Sequence, residues 1–382
     1  MASPTLFEVR WSDAEVGRVL DQVRAYPWPR IPEVEDGWAY GCDASYLKAL
    51  CEHWTGAYDW RSAVADLNRF PQFTARVEDY DIHFLHVVGE AGGKRPLLLS
   101  HGWPGSHYEF WGVIEKLAYP SRFGGRREDA FDLVIPSLPG FGFSSKPKRP
   151  IGQRTTARLF NALMTEVLGY STYRAQGGDW GALVTSWLGR EHGQSARAIH
   201  LNMIGFRPHG GPQSEAETAW LQRQGMMMDV MGAYFRLQSS RPQSLAWMAA
   251  GNPVGQAAWI AERFHDWSDL REKPLDAVHP KDKLLTNIMI YVMTDSFTTG
   301  AWYYRGLLDE GRIAFEPGER VETPTAFANF PGEPLYAAPP RSWAERAYNI
   351  VRWTEMPRGG HFAAMEEPDL FVDDVRAWAA EA

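Results

Sequence analysis

From about residue 80 onward, short apolar runs alternate with stretches of helical spacing, a rhythm that the first 75 residues lack. Residues 81–88 read as a strand, and 89–96 (GEAGGKRP) as a turn. The run 97–100 is continuously apolar and leads into glycines, as in a parallel strand buried on both faces. Residues 131–135 repeat that pattern before Pro136, 173–176 and 199–203 are further strands, and 183–188 open a helix. Between 157 and 169, Leu159, Phe160, Leu163, Met164, Val167 and Leu168 recur at helical spacing. Alternation of this kind predicts an α/β fold, a mostly parallel, doubly wound sheet with helices on both faces.

Two regions fall outside the rhythm. Near the start, 13–23 predicts a short helix capped close to Ser12, after which Pro27, Pro29 and Pro32 exclude helix. That segment is expected to meander as a strap over another surface. Between β-like runs, 215–234, 254–264 and 283–308 are helical with no strand among them, and strands return at 325–329 and 350–353. The expected organisation is an N-terminal meander packing on the core over 1–78, an α/β core over 79–206 and 321–382, and an inserted helical cap over 207–320.

Composition narrows the function classes. The 382 residues are 45% hydrophobic with 17 Trp, ample for a large core, and 39 basic against 47 acidic side chains leave a net charge of −8. Nucleic-acid binding, which needs a basic stripe to neutralise phosphates, is not expected. Cys42 and Cys51 have no histidines at metal-ligand spacing and suggest neither a zinc site nor a disulfide framework. The opening MASPTLFEVRW lacks a secretory pattern, and no apolar stretch approaches the roughly 20 residues that span a bilayer. The expected address is cytoplasmic, without a membrane anchor.

The chemistry concentrates in a few loops. Gly177-Gly178-Asp179-Trp180-Gly181 lies between a strand and a helix, and glycines two before and two after Asp179 allow the cramped turn called a nucleophile elbow. The residue such a turn lifts above the sheet is usually Ser; here it is Asp, so the expected nucleophile is a carboxylate. A helix N-cap Asp is the plainer alternative. A carboxylate attacks saturated carbon and leaves an alkyl ester, so turnover also demands a base and an oxyanion hole. His361, in Gly359-Gly360-His361-Phe362 after the last strand, is the expected general base, against the alternative of a surface loop histidine. Glu333, the first carboxylate beyond 325–329, is the expected orienting acid, with Glu316, Glu319, Glu355, Asp309 and Glu310 less well placed in chain order. The backbone N–H groups of Trp180 and, in the loop after 97–100, Trp103 are the expected oxyanion hole.

At HGWPGS (101–106), LPGFGFS (138–144), GGDWG (177–181) and GGHFAAMEEP (359–368) the chain resembles the microsomal-type epoxide hydrolases and their bacterial and fungal relatives, over nearly its whole length. The resemblance implies an α/β-hydrolase fold with a cap and a proline-rich N-terminal meander, and a cis bond before Pro104. It implies an acid in an F-P-x-[DE] segment, matched by Phe330-Pro331-Gly332-Glu333. It also implies two cap tyrosines that hold the epoxide oxygen, at positions that look like Tyr234 and Tyr304, with Tyr303 the rival to the latter. The implied reaction converts a small apolar epoxide and water to a vicinal diol through an ester on Asp179, with no metal or organic cofactor. A haloalkane dehalogenase shares the Asp-Trp pair, and a non-catalytic hydrolase-fold binder is the reading from another class. The Met226–Met228 run fits either an apolar pocket or helix packing, and the sequence is compatible with a homodimer.

Overall fold

Among the described residues of the computed structural model (3–32, 34, 37–93, 95–311 and 313–381), nine strands form one sheet. They are β1 (Thr5–Phe7), β2 (Gln72–Val77), β3 (Tyr80–Val87), β4 (Pro96–Ser100), β5 (Asp132–Pro136), β6 (Tyr173–Gly177), β7 (Ala196–Leu201), β8 (Val321–Asn329) and β9 (Tyr348–Glu355). Their spatial order is β1-β2-β3-β5-β4-β6-β7-β8-β9. β1, β2 and β3 pair antiparallel, β3 also with β5, and every pairing from β5 through β9 is parallel. The predicted α/β sheet is therefore present. Its strand order reverses at β4, which has β5 on one side and β6 on the other. Ligand crevices in such sheets open at the C-terminal ends of the strands where the order switches. Here those ends are Ser100 and Gly177, directly opposite one another in register.

The N-terminal region is more regular than its spacing suggested. The helix Asp13–Arg24 starts in a capping box between Ser12 and Glu15, as expected. The helices Ala44–Gly56 and Trp60–Leu67 were not anticipated. Each begins at an aspartate whose carboxylate accepts backbone N–H groups, Asp43 from Tyr46 and Asp59 from Arg61 and Ser62. Leu47, Leu50, Cys51 and Trp54 form the buried stripe of the first, a period too short to stand out beside the prolines. β1 and β2 were also missed; both sit at the sheet's antiparallel edge, where pairing rather than an apolar run defines the strand. From there the N-terminal helices reach the segment between β7 and β8: His53 Nε2 lies 2.6 Å from Asp282 Oδ1, and the Tyr58 and Thr286 hydroxyls are 3.1 Å apart.

That segment is helical, as read, with different breaks. The run expected at 215–234 divides at Gly232 into Glu215–Met231 and Ala233–Ser240. The run expected at 283–308 divides into Lys281–Met293 and Phe297–Glu310, with Asp295 at φ +49° in the turn between them. Pro242–Ala249, absent from the expectation, starts with proline at its first position, where the missing N–H needs no partner. The helix expected from 183 begins at Asp179 instead. Among the described residues no helix is long and apolar enough to cross a membrane.

The insertion is fastened to the sheet domain by polar contacts to backbone. The Asn287 amide donates to Pro104 O at 2.8 Å and the Tyr291 hydroxyl to Gly105 O at 2.6 Å. Glu310 accepts the N–H groups of Gly152, Arg154 and Thr155, at the start of the helix Gln153–Ala162. Gly306 faces the same loop, where an added Cβ would stand 2.0 Å from Ile151 O. Gly306→Ala should therefore destabilise the fold by about 1–3 kcal/mol. Gly225→Ala, whose Cβ meets nothing within 4 Å on another helix, should be neutral or slightly stabilising; thermal unfolding of the two variants compares them directly.

Candidate active site

Asp179 is the first residue of the helix that follows β6 and holds φ at +47°, the left-handed region. The turn is tight enough that a Cβ at Gly177 would come 2.1 Å from Gly181 O, and one at Gly181 would come 1.8 Å from Ser100 O. Only glycine fits either place, which is the physical content of the spacing seen in the sequence. The loop after β4 then closes over the carboxylate. The Trp103 N–H donates to Asp179 Oδ1 at 2.7 Å, and the bond from Trp103 to Pro104 is cis, as the resemblance implied. Trp180 is the second residue of the same helix, so its N–H has no partner within the helix.

The other carboxylate oxygen faces the late loop. Asp179 Oδ2 lies 3.4 Å from His361 Nε2, and the Nδ1 edge of the same ring makes a very short hydrogen bond to Glu333 Oε2. The three side chains expose only 12%, 4% and 9% of their surface respectively, so water does little to screen them. Burial by itself disfavours the imidazolium, but the Glu333 and Asp179 carboxylates outweigh it and hold the proton on His361 well above the usual histidine range. Glu333 is fixed in turn, its Oε1 accepting the N–H groups of Leu335 and Tyr336 at 3.0 Å each.

Aromatic rings roof the carboxylate. Tyr234 stacks on Trp103 with centroids 5.6 Å apart, and Tyr304 stands edge-on to Trp180 at 4.5 Å and to Trp103 at 5.5 Å. Burial, reinforced by neighbouring phenols and Asp179, pushes both phenols well above their ordinary pKa, so both remain proton donors. The Tyr303 hydroxyl bonds Thr156 Oγ1 at 2.7 Å, whereas the Tyr304 hydroxyl is buried without a partner. Adjacent residues on one helix thus turn opposite ways.

Several residues that build the site were not singled out from sequence. Tyr336 bonds the Tyr234 hydroxyl at 3.1 Å and so links the Glu333 loop to the roof. The Glu366 carboxylate accepts from Asp269 N, Gly360 N and Phe362 N at 2.8–2.9 Å, clasping the residues on either side of His361. Trp267 O receives the His361 N–H at 2.9 Å, and a Cβ on Gly360 would stand 2.6 Å from Asp269 N. The glycines beside His361 admit this segment of the insertion. Glu366 belongs to a motif noted in the sequence; the other contacts carry no local signal.

A cavity of about 570 Å³ opens beside Asp179 and Trp180, walled largely by apolar side chains. With its switch-point crevice, strand-to-helix elbow, histidine and late acid, the molecule is an α/β-hydrolase with an aspartate at the elbow. Residues 4–110 match the family model described as epoxide hydrolase N terminus, and residues 95–241 that of the alpha/beta hydrolase fold. A relative from Stigmatella aurantiaca is 39% identical over 97% of this chain and 84% of its own length. Epoxide hydrolase 1 of Oryctolagus cuniculus is 34% identical over 97% of this chain and 87% of its own. The solved structure of the Aspergillus niger epoxide hydrolase is 31% identical, with a TM-score of 0.86, covering 100% of this chain and 97% of that one. The chain belongs to the epoxide hydrolase family.

The charge balance makes a direct prediction. Asp179→Asn removes one of the two carboxylates that hold the His361 proton, so the ring's pKa should fall from its wild-type value. Titration of the His361 ring proton by NMR measures the change, and an unaltered midpoint would show that Asp179 contributes nothing.

Proposed function

We propose that the protein hydrolyses epoxides to vicinal diols, with Asp179 as the covalent nucleophile and 207–320 serving as its cap. The observation that carries this reading is the division of labour between the two oxygens of Asp179. Oδ1 is held by the Trp103 N–H at 2.7 Å, while Oδ2 points to His361 Nε2 at 3.4 Å. In the first step Oδ2 attacks a ring carbon from behind. The carbon–oxygen bond breaks, and the departing oxygen takes a proton from the phenols of Tyr234 and Tyr304.

Ester formation removes the charge on Asp179, and with it part of what kept His361 protonated. Its proton restores the phenol that protonated the epoxide oxygen, and the ring becomes a base as the ester forms. His361, oriented by Glu333, then takes a proton from water, and the hydroxide attacks the ester carbon. The negative charge that develops on Oδ1 is stabilised by the N–H groups of Trp103 and Trp180; one such donor is worth about 10²–10³ in rate. Collapse expels the diol, which carries away Oδ2 and takes the proton left on the added oxygen. The water oxygen thus stays on an ionised side chain, and His361 is protonated again.

The buried, unpartnered indole N–H groups of Trp103 and Trp180 favour a second reading, halide binding during dehalogenation. Release of bromide from bromoalkanes without turnover of styrene oxide would select it. The tyrosine pair, matched to oxygen rather than halide, supports the epoxide reading.

A single turnover of styrene oxide in heavy-oxygen water should label Asp179 and leave the diol unlabelled; label passing straight to the diol sinks the covalent mechanism. His361→Gln should accumulate the alkyl ester, visible as a mass increase of the intact protein. Tyr234→Phe and Tyr304→Phe should each slow ester formation more than ester hydrolysis. Removing a general acid of this kind lowers the step by about 10²–10⁴, measurable by stopped-flow tryptophan fluorescence. Equal slowing of both steps would show that the tyrosine merely packs.

A further inference from the structure

The cavity beside Asp179 is not uniformly apolar. Met203, Phe206, Met228, Phe235, Leu307 and Ile313 line it together with Asp179. Arg207 is the one basic residue among its described lining, and its guanidinium makes no hydrogen bond or ion pair among the described residues. Gln224, on the helix Glu215–Met231, also lines the cavity, and its Nε2 is buried without a partner. The exposed Arg207 and the buried amide of Gln224 thus line the same largely apolar space.

Arg207 is also held in place. Its N–H donates to Ile313 O at 2.7 Å and its carbonyl accepts from Phe315 N at 3.0 Å, where the chain enters and leaves the insertion. The side chain therefore projects from a fixed backbone, which lowers the entropy lost on binding. A guanidinium and a primary amide offer donors only at these atoms, and together they match the paired oxygens of a carboxylate.

We propose that this cavity selects epoxides bearing a carboxylate remote from the ring, with Arg207 and Gln224 receiving it. The inference rests on the epoxide-opening reading above and adds the substrate class. Asp179 supplies the orientation: a substrate carboxylate is repelled by it and drawn instead to the guanidinium. An apolar spacer between ring and carboxylate then packs on the apolar lining.

The test compares 10,11-epoxyundecanoate with its methyl ester. Wild type should favour the free acid in kcat/KM by about three- to tenfold, the range for a partly exposed charged hydrogen bond. Arg207→Gln should bring the acid-to-ester ratio close to one, and Gln224→Leu should lower it. Equal use of acid and ester by wild type, a ratio that survives Arg207→Gln, or a matching fall for both substrates overturns the proposal. Undecanoate binding, followed by tryptophan fluorescence, reads the subsite without turnover: it should weaken in Arg207→Gln, and failure of wild type to bind it also overturns the proposal. Turnover of styrene oxide by wild type reports separately on the reaction itself.

Discussion

The backbone at Asp179 stands at φ +47°, a conformation that costs a side-chain-bearing residue about 1 kcal/mol or more. It is held there from three sides. Gly177 and Gly181 let β6 and its helix close to within contact of β4, and the Trp103 N–H ties the carboxylate to the loop beyond β4. Because β4 and β6 are neighbours in parallel register at the sheet's switch point, both loops leave the sheet on the same edge and meet. The strain is local, and the support comes from the whole sheet.

The electrostatics follow from that placement. Two carboxylates flank one imidazole in a region almost closed to water, so the resting site favours a protonated ring between two anions. Covalent chemistry at one carboxylate changes the balance for the other partners. In the mechanism we propose, the same side chain is nucleophile in one step and, by losing its charge, the trigger for the base in the next. This coupling needs no conformational change.

The helical insertion does more than cover the site. It supplies Tyr234 and Tyr304, braces the loop after β4 through Asn287 and Tyr291, and clasps the His361 loop through Trp267 and Asp269. Its two ends are stitched together beside Arg207, next to the cavity it encloses. Sheet and insertion therefore share the site rather than dividing it into catalytic and binding halves.

The sequence alone determined what depends on neighbours along the chain. Apolar runs ending in glycine marked the buried parallel strands, and the spacing around Asp179 marked the elbow, because both are consequences of local backbone geometry. The edge strand β1 and its neighbour β2 escaped notice because they are defined by partners, and the long helices were read through their breaks at Gly232 and at Thr294–Ser296 because apolar spacing continues across both. Which of Tyr303 and Tyr304 faces the carboxylate was decided only by packing, when Thr156 took the hydroxyl of one. Tyr336, Glu366 and Arg207 likewise acquired their surroundings from residues distant in sequence. A motif records what one segment must be; which side chains meet across segments is set when those segments compete for the same buried space.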